Sequence, residues 1–488
     1  TPLYLAIAAA AGPSVVVTNL TPTAISVSVT NDTMIEGQSQ PAAAIGNFAD
    51  ASGINVTASV TNWTSSNTGV LTVNSIGVVT AVGTGSATIS ATVNGTTGTS
   101  ATITVPSSAP IITQQPQPSD TFLQGATLTA SVSNIGTPPF VYRWFFNNGT
   151  TPISTSANPS LTIPDVQAAN AGTYTVLVSN LDGSVMSSNL IVSVLSPTPY
   201  EQIVQQYGPV GYWPMQETSG TTAYDVIGGD NGTYTNFPSV AGSTYNLNQA
   251  GPSQSFFGTS SLAVQFQSAI ADIPLGQLNI TGPLTVVAWV QIQSLGSGFY
   301  GIFGHGDQSW RLSVTSGGLP GADDGGPPAD ATGATSINDS AWHMVAYSYT
   351  GNTNQANNGS LYVDGTLVGK NSVFVTPAGD NLDVWAGGSP DYGTARLLPL
   401  ADLAHVAVFN QALTAAQVNG LYNGTYVLGP QTLHIAQSGP NVVLNWQTGT
   451  LLQSTNVLGP WTTNSLATPP YTVPATNKAA FFRLLVSP

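Results

Sequence analysis

Leu284-Thr285-Val286-Val287-Ala288-Trp289-Val290 is followed by Ala341-Trp342-His343-Met344-Val345-Ala346-Tyr347-Ser348-Tyr349 and by Ser360-Leu361-Tyr362-Val363-Asp364-Gly365-Thr366-Leu367-Val368. Runs this rich in β-branched and aromatic residues, alternating with a period of two, predict strands. The Asp364-Gly365 pair suits a type I′ turn and predicts a hairpin. The same texture extends outward in both directions, punctuated by Gly, Asn and Pro. Helical patterning is confined to two short stretches, 200–207 and 414–422. The chain therefore reads as all-β.

With 488 residues it is too long for one core. Pro-containing joints near 107–110, 196–199 and 429–430 divide it into an extended segment 1–20 and modules 21–106, 107–196, 197–428 and 429–488. Only 6% of residues are charged, against about 25% in ordinary soluble proteins. Six Lys and Arg and a net charge of -15 argue against nucleic acid and anionic membranes, which demand clustered cations. No apolar run is long enough to span a bilayer. Without cysteine there is no thiolate nucleophile, Cys-zinc site or iron–sulfur cluster. A Thr/Ser/Asn/Gln surface lacks the lysines that blunt sheet edges, so neighbouring subunits or glycans are expected to cover part of it. Eleven N-x-Ser/Thr sequons offer sites for such glycans.

Trp63-Thr64-Ser65-Ser66-Asn67, then Gly77-Val78-Val79-Thr80-Ala81-Val82 and Gly83-Thr84-Gly85-Ser86-Ala87-Thr88-Ile89-Ser90-Ala91, resemble a bacterial Ig-like domain of group 2. The glycines between these two alternating runs predict a tight turn joining paired strands. Tyr142-Arg143-Trp144 with Asn170-Ala171-Gly172-Thr173-Tyr174-Thr175-Val176 resembles an Ig fold. Tyr174 would be the corner tyrosine near Trp144, and Ala130 and Val176 would replace the family's two cysteines by apolar contact. The strand runs at 284–290, 341–349 and 360–368, with Ala404-His405-Val406-Ala407-Val408-Phe409-Asn410-Gln411-Ala412-Leu413-Thr414, look like a laminin-G-like, concanavalin-type jelly-roll sandwich. Tyr212-Trp213-Pro214-Met215 fits that family's opening segment. The last module resembles C-terminal β modules of large secreted proteins from the Verrucomicrobia and Planctomycetes. Together these resemblances imply a secreted or cell-surface bacterial protein.

Because concanavalin-type jelly rolls include glycosidases, catalysis has to be weighed. That chemistry needs two carboxylates across the scissile bond. The three glutamates, Glu36, Glu201 and Glu217, have no acid at i+2 or i+4, so no strand carries an acidic array. The histidines, at 305, 343, 405 and 434, form no metal signature. No enzyme is expected and no cofactor required. Calcium is the one ion the composition admits, through Asp225, Asp230 and Asn231 in a loop resembling one that helps bind calcium in jelly-roll relatives, or through Asp323 and Asp324. Ordinary turn chemistry is the alternative for both loops, and the acid often found in the family's late motif is replaced by Ala404.

Two modes of association are open. Sugars stack on exposed aromatics, and Tyr300, Trp310, Trp385 and Tyr392 are the candidates, with core packing as the alternative. Leu3, Leu5 and Ile7 alternate in a segment that reads as a mature terminus left after processing and precedes the first module. Such a strand invites β-augmentation, or docks on its own chain. The expectation is a structural subunit that self-associates into a surface filament or layer. The alternative is an adhesin binding glycan or surface protein through the jelly roll.

Overall fold

The computed structural model describes residues 21–306, 309–323, 331–351, 357–371, 382–428, 433–438, 441–446, 450–465, 467–474 and 480–485. The expected all-β class holds, with two short α-helices. The chain forms two compact units, Thr1–Val194 and Leu195–Pro488. Leu3, Leu5 and Ile7 lie outside the described residues.

The first unit holds two sandwiches. In the first, Ser39–Asn47 pairs with Ala24–Val29 and Val78–Ala81, while Asn62–Ser65, Ile89–Val93 and Thr96–Thr99 form a facing sheet. Ile25, Val27, Trp63, Val79, Ala81, Ile89 and Ala91 fill the space between. The predicted hairpin is corrected here. Val78–Ala81 pairs with Leu71–Val73, whereas Gly85–Ala87 pairs with Ile103–Val105 and Ile89–Val93 lies in another sheet. Both runs bury their alternate residues, so they face each other across the core instead of lying side by side. Gly77 passes beneath Trp63 at a φ of +83, where a Cβ would meet the indole at 2.9 Å.

In the second sandwich, Trp144 stands opposite Val176 in register, and both are fully buried. Ala130, at the position matched to the family's other cysteine, is buried as well. The Tyr174 hydroxyl donates to the Asn170 carbonyl at 2.7 Å, closing the corner as expected.

The second unit is dominated by two eight-stranded sheets. One is ordered Thr244–Ala250, Leu262–Gln267, Leu400–Phe409, Leu284–Ser294, Trp342–Tyr349, Gly359–Val363 and Thr366–Lys370, with Gly211–Trp213 added beside Leu400–Phe409. The other is ordered Thr222–Ala223, Gly232–Asn236, Ala269–Ile273, Val384–Ala386, Phe299–Gly304, Arg311–Thr315, Pro320–Asp323 and Ala331–Thr332. The Asp-Gly turn forms as read, with φ of 51 at Asp364 and 72 at Gly365.

Strand Leu284–Ser294 is buried on both faces, which its nearly unbroken apolar sequence requires. Leu284, Val286, Ala288, Val290 and Ile292 enter the core between the sheets. On its other face Trp289 packs under helices α1 (Pro199–Gln206) and α2 (Ala415–Asn423), stacking on Tyr422 and donating its indole N–H to the Tyr200 hydroxyl at 3.0 Å. Each helix starts with a capping box, Thr198/Glu201 and Thr414/Gln417. The C-terminal module is two three-stranded sheets around Leu444, Trp446 and Leu451.

Candidate functional site

The second jelly-roll sheet turns Ala271, Ile273, Val384, Ala386, Leu312 and Val314 into the core. With a side-chain period of two, Asp272, Trp385 and Arg311 must project from the opposite face. Register places them in one row across neighbouring strands: Thr233, Asp272, Trp385, Gly304, Arg311 and Asp323. Trp385 is half-buried and donates its indole N–H to Asp272 Oδ1 at 2.9 Å. The Phe237 ring lies 5.7 Å away. Burial, and then the neighbouring charge of Asp383, raise the Asp272 pKa, against the Trp385 hydrogen bond. Farther along the row the buried Arg311 guanidinium lies 4.8 Å from the Phe299 ring centre, and Arg396 approaches the same ring at 4.7 Å. The face thus combines an aromatic platform with carboxylate acceptors, while the guanidinium groups of Arg311 and Arg396 are engaged with the Phe299 ring.

The other aromatic candidates separate cleanly. Trp310 is wholly buried and donates to the Leu278 carbonyl at 3.2 Å, and Tyr300 is 8% exposed. Both belong to the core between the sheets, because their strand positions share a face with Leu312 and Ile302, so neither offers a ring to a sugar. Tyr392 belongs to the turn Pro390–Arg396, and its side chain falls outside the described residues.

The early loop is tied by hydrogen bonds. Asp225 is fully buried; its Oδ1 accepts from the N–H groups of Tyr212, Ile227 and Gly228, and its Oδ2 from that of Asp230. Asn231 Oδ1 accepts from the Asp225 N–H, and the Asp230 carbonyl from the Trp213 indole. Within this trio Asp230 Oδ2 is the carboxylate oxygen with no hydrogen-bond partner. Asp225 is the knot that ties the loop. Burial pushes the Asp225 pKa up to about 6 despite these N–H donors. Asp323 ends the strand Pro320–Asp323 and its side chain, like all of Asp324, lies outside the described residues.

Three histidine arrangements escaped sequence reading. His343 Nδ1 lies 2.8 Å from Asp364 Oδ2, and Nε2 lies 3.1 Å from Asp339 Oδ1. Asp364, then Asp339, raise its pKa against burial. Asp364 Oδ1 also accepts the Met344 N–H at 3.0 Å, so the hairpin turn is pinned to the neighbouring strand. The turn's Asp was the available signal. His305 Nδ1 and Ser309 Oγ are 2.8 Å apart, but the residues are 0% and 1% exposed, so this pair is sealed from any substrate.

His405 sits at φ 50 in a bulge of Leu400–Phe409, stacked on Phe257 at 4.4 Å. Its Nδ1 is 2.6 Å from the Tyr212 hydroxyl and its Nε2 is 3.4 Å from the Gln216 amide nitrogen. An amide nitrogen donates, so a single ring proton on Nδ1 satisfies both contacts. Burial lowers the His405 pKa to about 3. The three glutamates serve separate places. Glu201 caps α1; Glu217 accepts from the Tyr224 N–H and the Tyr234 hydroxyl; the Glu36 carbonyl accepts from the Gly136 N–H.

Comparison with known families falls in line with this architecture. Residues 22–105 match the profile of the bacterial Ig-like domain (group 2), residues 109–180 that of the immunoglobulin domain, and residues 267–419 that of the concanavalin A-like lectin/glucanases superfamily. The last match begins after strands Gly211–Trp213 and Gly232–Asn236, which the structure includes in the same two sheets. A search of curated proteins finds no match. Among solved structures, titin M4 is similar at 18% identity over 18% of this chain and 98% of its own, with a TM-score of 0.16. The Trypanosoma rangeli sialidase is similar at 12% identity over 69% of this chain and 66% of its own, with a TM-score of 0.34. The chain is a modular all-β protein of Ig-like and laminin-G-like sandwiches. No described helix is long and apolar enough to cross a membrane.

Proposed function

We propose that this chain is a non-enzymatic bacterial cell-surface adhesin, and that its jelly roll binds a glycan or a surface protein on the outer face of the second sheet. The observation that carries the reading is Trp385, half-buried on that face, with its indole held by Asp272 and Phe237 beside it. A fixed ring offers an apolar platform to the C–H face of a sugar or to an apolar side chain. The carboxylates of Asp272 and Asp383 supply acceptors for hydroxyl or amide donors. Protein sites of this kind pair an aromatic anchor with a few polar groups that orient the ligand. The sealed Ser309–His305 pair and the dispersed glutamates favour binding without bond cleavage.

The test is an array of glycans and bacterial or host surface proteins probed with the full chain, with and without a calcium chelator. Selective binding that survives the chelator is expected. Absence of any selective binder, or release of a cleaved ligand, contradicts the reading. A subunit of a surface filament or layer is the second reading. It is favoured by an open sheet edge in the second sandwich.

A further inference from the structure

The second sandwich is laterally incomplete. Among the described residues, Ser160–Ile163 is paired on one side only, with Leu128–Ser131, where Leu161 faces Ala130 and Ile163 faces Leu128. The facing sheet ends at Ser154–Ser156, itself paired only with Val141–Phe146. An Ig sandwich of the constant type has a further strand beside this one. Here residues 157–159 are the whole connection between the two edges, too few for another strand.

Between the edges lies a groove of about 380 Å³ lined by Phe146, Ile153, Leu161, Ile163, Pro164 and Tyr174 among others. Ile153 is 48% exposed in it, and no lining residue is charged. An open edge beside an uncharged groove of apolar side chains, with Ser154, Thr162 and Asn170 as its polar members, is an arrangement that accepts an added strand.

The chain itself contains a matching sequence. Residues 1–20 carry no charged side chain, and the spacing of Leu3, Leu5 and Ile7 is that of one face of a β-strand. Five extended residues span roughly 17 Å and the four of Ser160–Ile163 roughly 13 Å at about 3.3 Å per residue, so the lengths agree. The first sandwich builds its sheets from strands between Ala24 and Val105 and has no need of this segment.

We propose that residues 3–7 add as a strand beside Ser160–Ile163, seating Leu3, Leu5 and Ile7 in the groove. This stands independently of ligand binding by the jelly roll. The natural chain has no cysteine, so cross-linking has no background. In such an added strand Tyr4 and Ala6 share the outward face with the exposed Thr162.

The full chain carrying Thr162→Cys with Tyr4→Cys or with Ala6→Cys is oxidised and run without reductant. A Leu181→Cys partner, at a position 97% exposed elsewhere in the same unit, is the reference. The expected result is a disulfide in at least one Thr162 pairing, at least tenfold more abundant than with Leu181→Cys and lost when Leu5→Asp is added. The mass of the product reads whether the strand comes from the same copy or a neighbour. Cross-linking no better than the Leu181→Cys reference, or indifferent to Leu5→Asp, overturns the proposal.

Discussion

Replacing His405 with asparagine removes a buried titration that opposes those of the buried carboxyls across mildly acidic pH. In the fold the ring is neutral, with a pKa of about 3, whereas the unfolded chain takes a proton near the ordinary value of 6.5. Stability from this group is therefore full above pH 6.5 and falls as the pH drops, by about 1.4 kcal/mol per unit. At pH 4 the loss reaches about 3 kcal/mol. Asp225 acts in the other direction. Its folded pKa of about 6 lies above the ordinary 3.8. Its favourable contribution is fully present below pH 3.8 and is lost as pH rises through about 6, a swing of about 3 kcal/mol. Between pH 6 and 4 these two nearly cancel, so the other carboxyls whose pKa burial raises, Glu201 and Glu217 above all, set the net slope of the jelly roll. His405→Asn suits the positive φ and removes the acid-labile component. Whatever constant packing loss it causes, its stability relative to wild type should rise by about 3 kcal/mol from pH 7 to pH 4. Asp225→Asn should do the reverse, its stability relative to wild type falling by about 3 kcal/mol from pH 7 to below pH 4. Thermal and denaturant unfolding of the full chain at several pH values, followed on the jelly-roll transition, measures both. Parallel profiles for wild type and His405→Asn would refute the reasoning.

Further outcomes follow from single contacts. Tyr174→Phe leaves the Asn170 carbonyl without its hydroxyl donor and should destabilise the second sandwich by about 1 kcal/mol, read as a lowered melting transition of that module. Asp364→Ala removes the acceptor of both His343 and the Met344 N–H and should cost about 1–3 kcal/mol. The same variant should lower the His343 pKa, which NMR titration of the ring reports, since Asp364 is the main cause of its upward shift. Gly365→Ala places a Cβ at a φ of +72, 2.9 Å from the Asn419 Cα, and should destabilise the hairpin by at least about 1 kcal/mol in the same unfolding assay.

Local chemistry was the legible part of this fold. Asp364-Gly365 announces its turn because only a few residue types accept two successive positive φ values. The corner Tyr174 is legible because its partner is four residues away. Pairings distant in sequence were not. Val78–Ala81 and Ile89–Val93 alternate alike, and nothing local says that they face each other across a core instead of pairing. Trp310 and Trp385 stand in similarly polar, glycine-containing surroundings, yet one is core and the other lies on the outer face. Register with strands far away in sequence decides between them, and a shift of one residue would exchange their roles. Asp225 reads equally as a cation ligand and as a turn former, because the residues that ligate calcium also tie turns, and its hydrogen bonds to distant N–H groups are not local. His405 carries no local mark of its bulge, which arises from pairing with Leu284–Ser294.

The most direct measurement is a binding titration of the selected ligand against wild type and Trp385→Ala, each first shown to melt at the same temperature. Loss of the anchoring ring should weaken binding about thirtyfold, the equivalent of about 2 kcal/mol. Unchanged affinity in Trp385→Ala would place the ligand elsewhere and contradict the account.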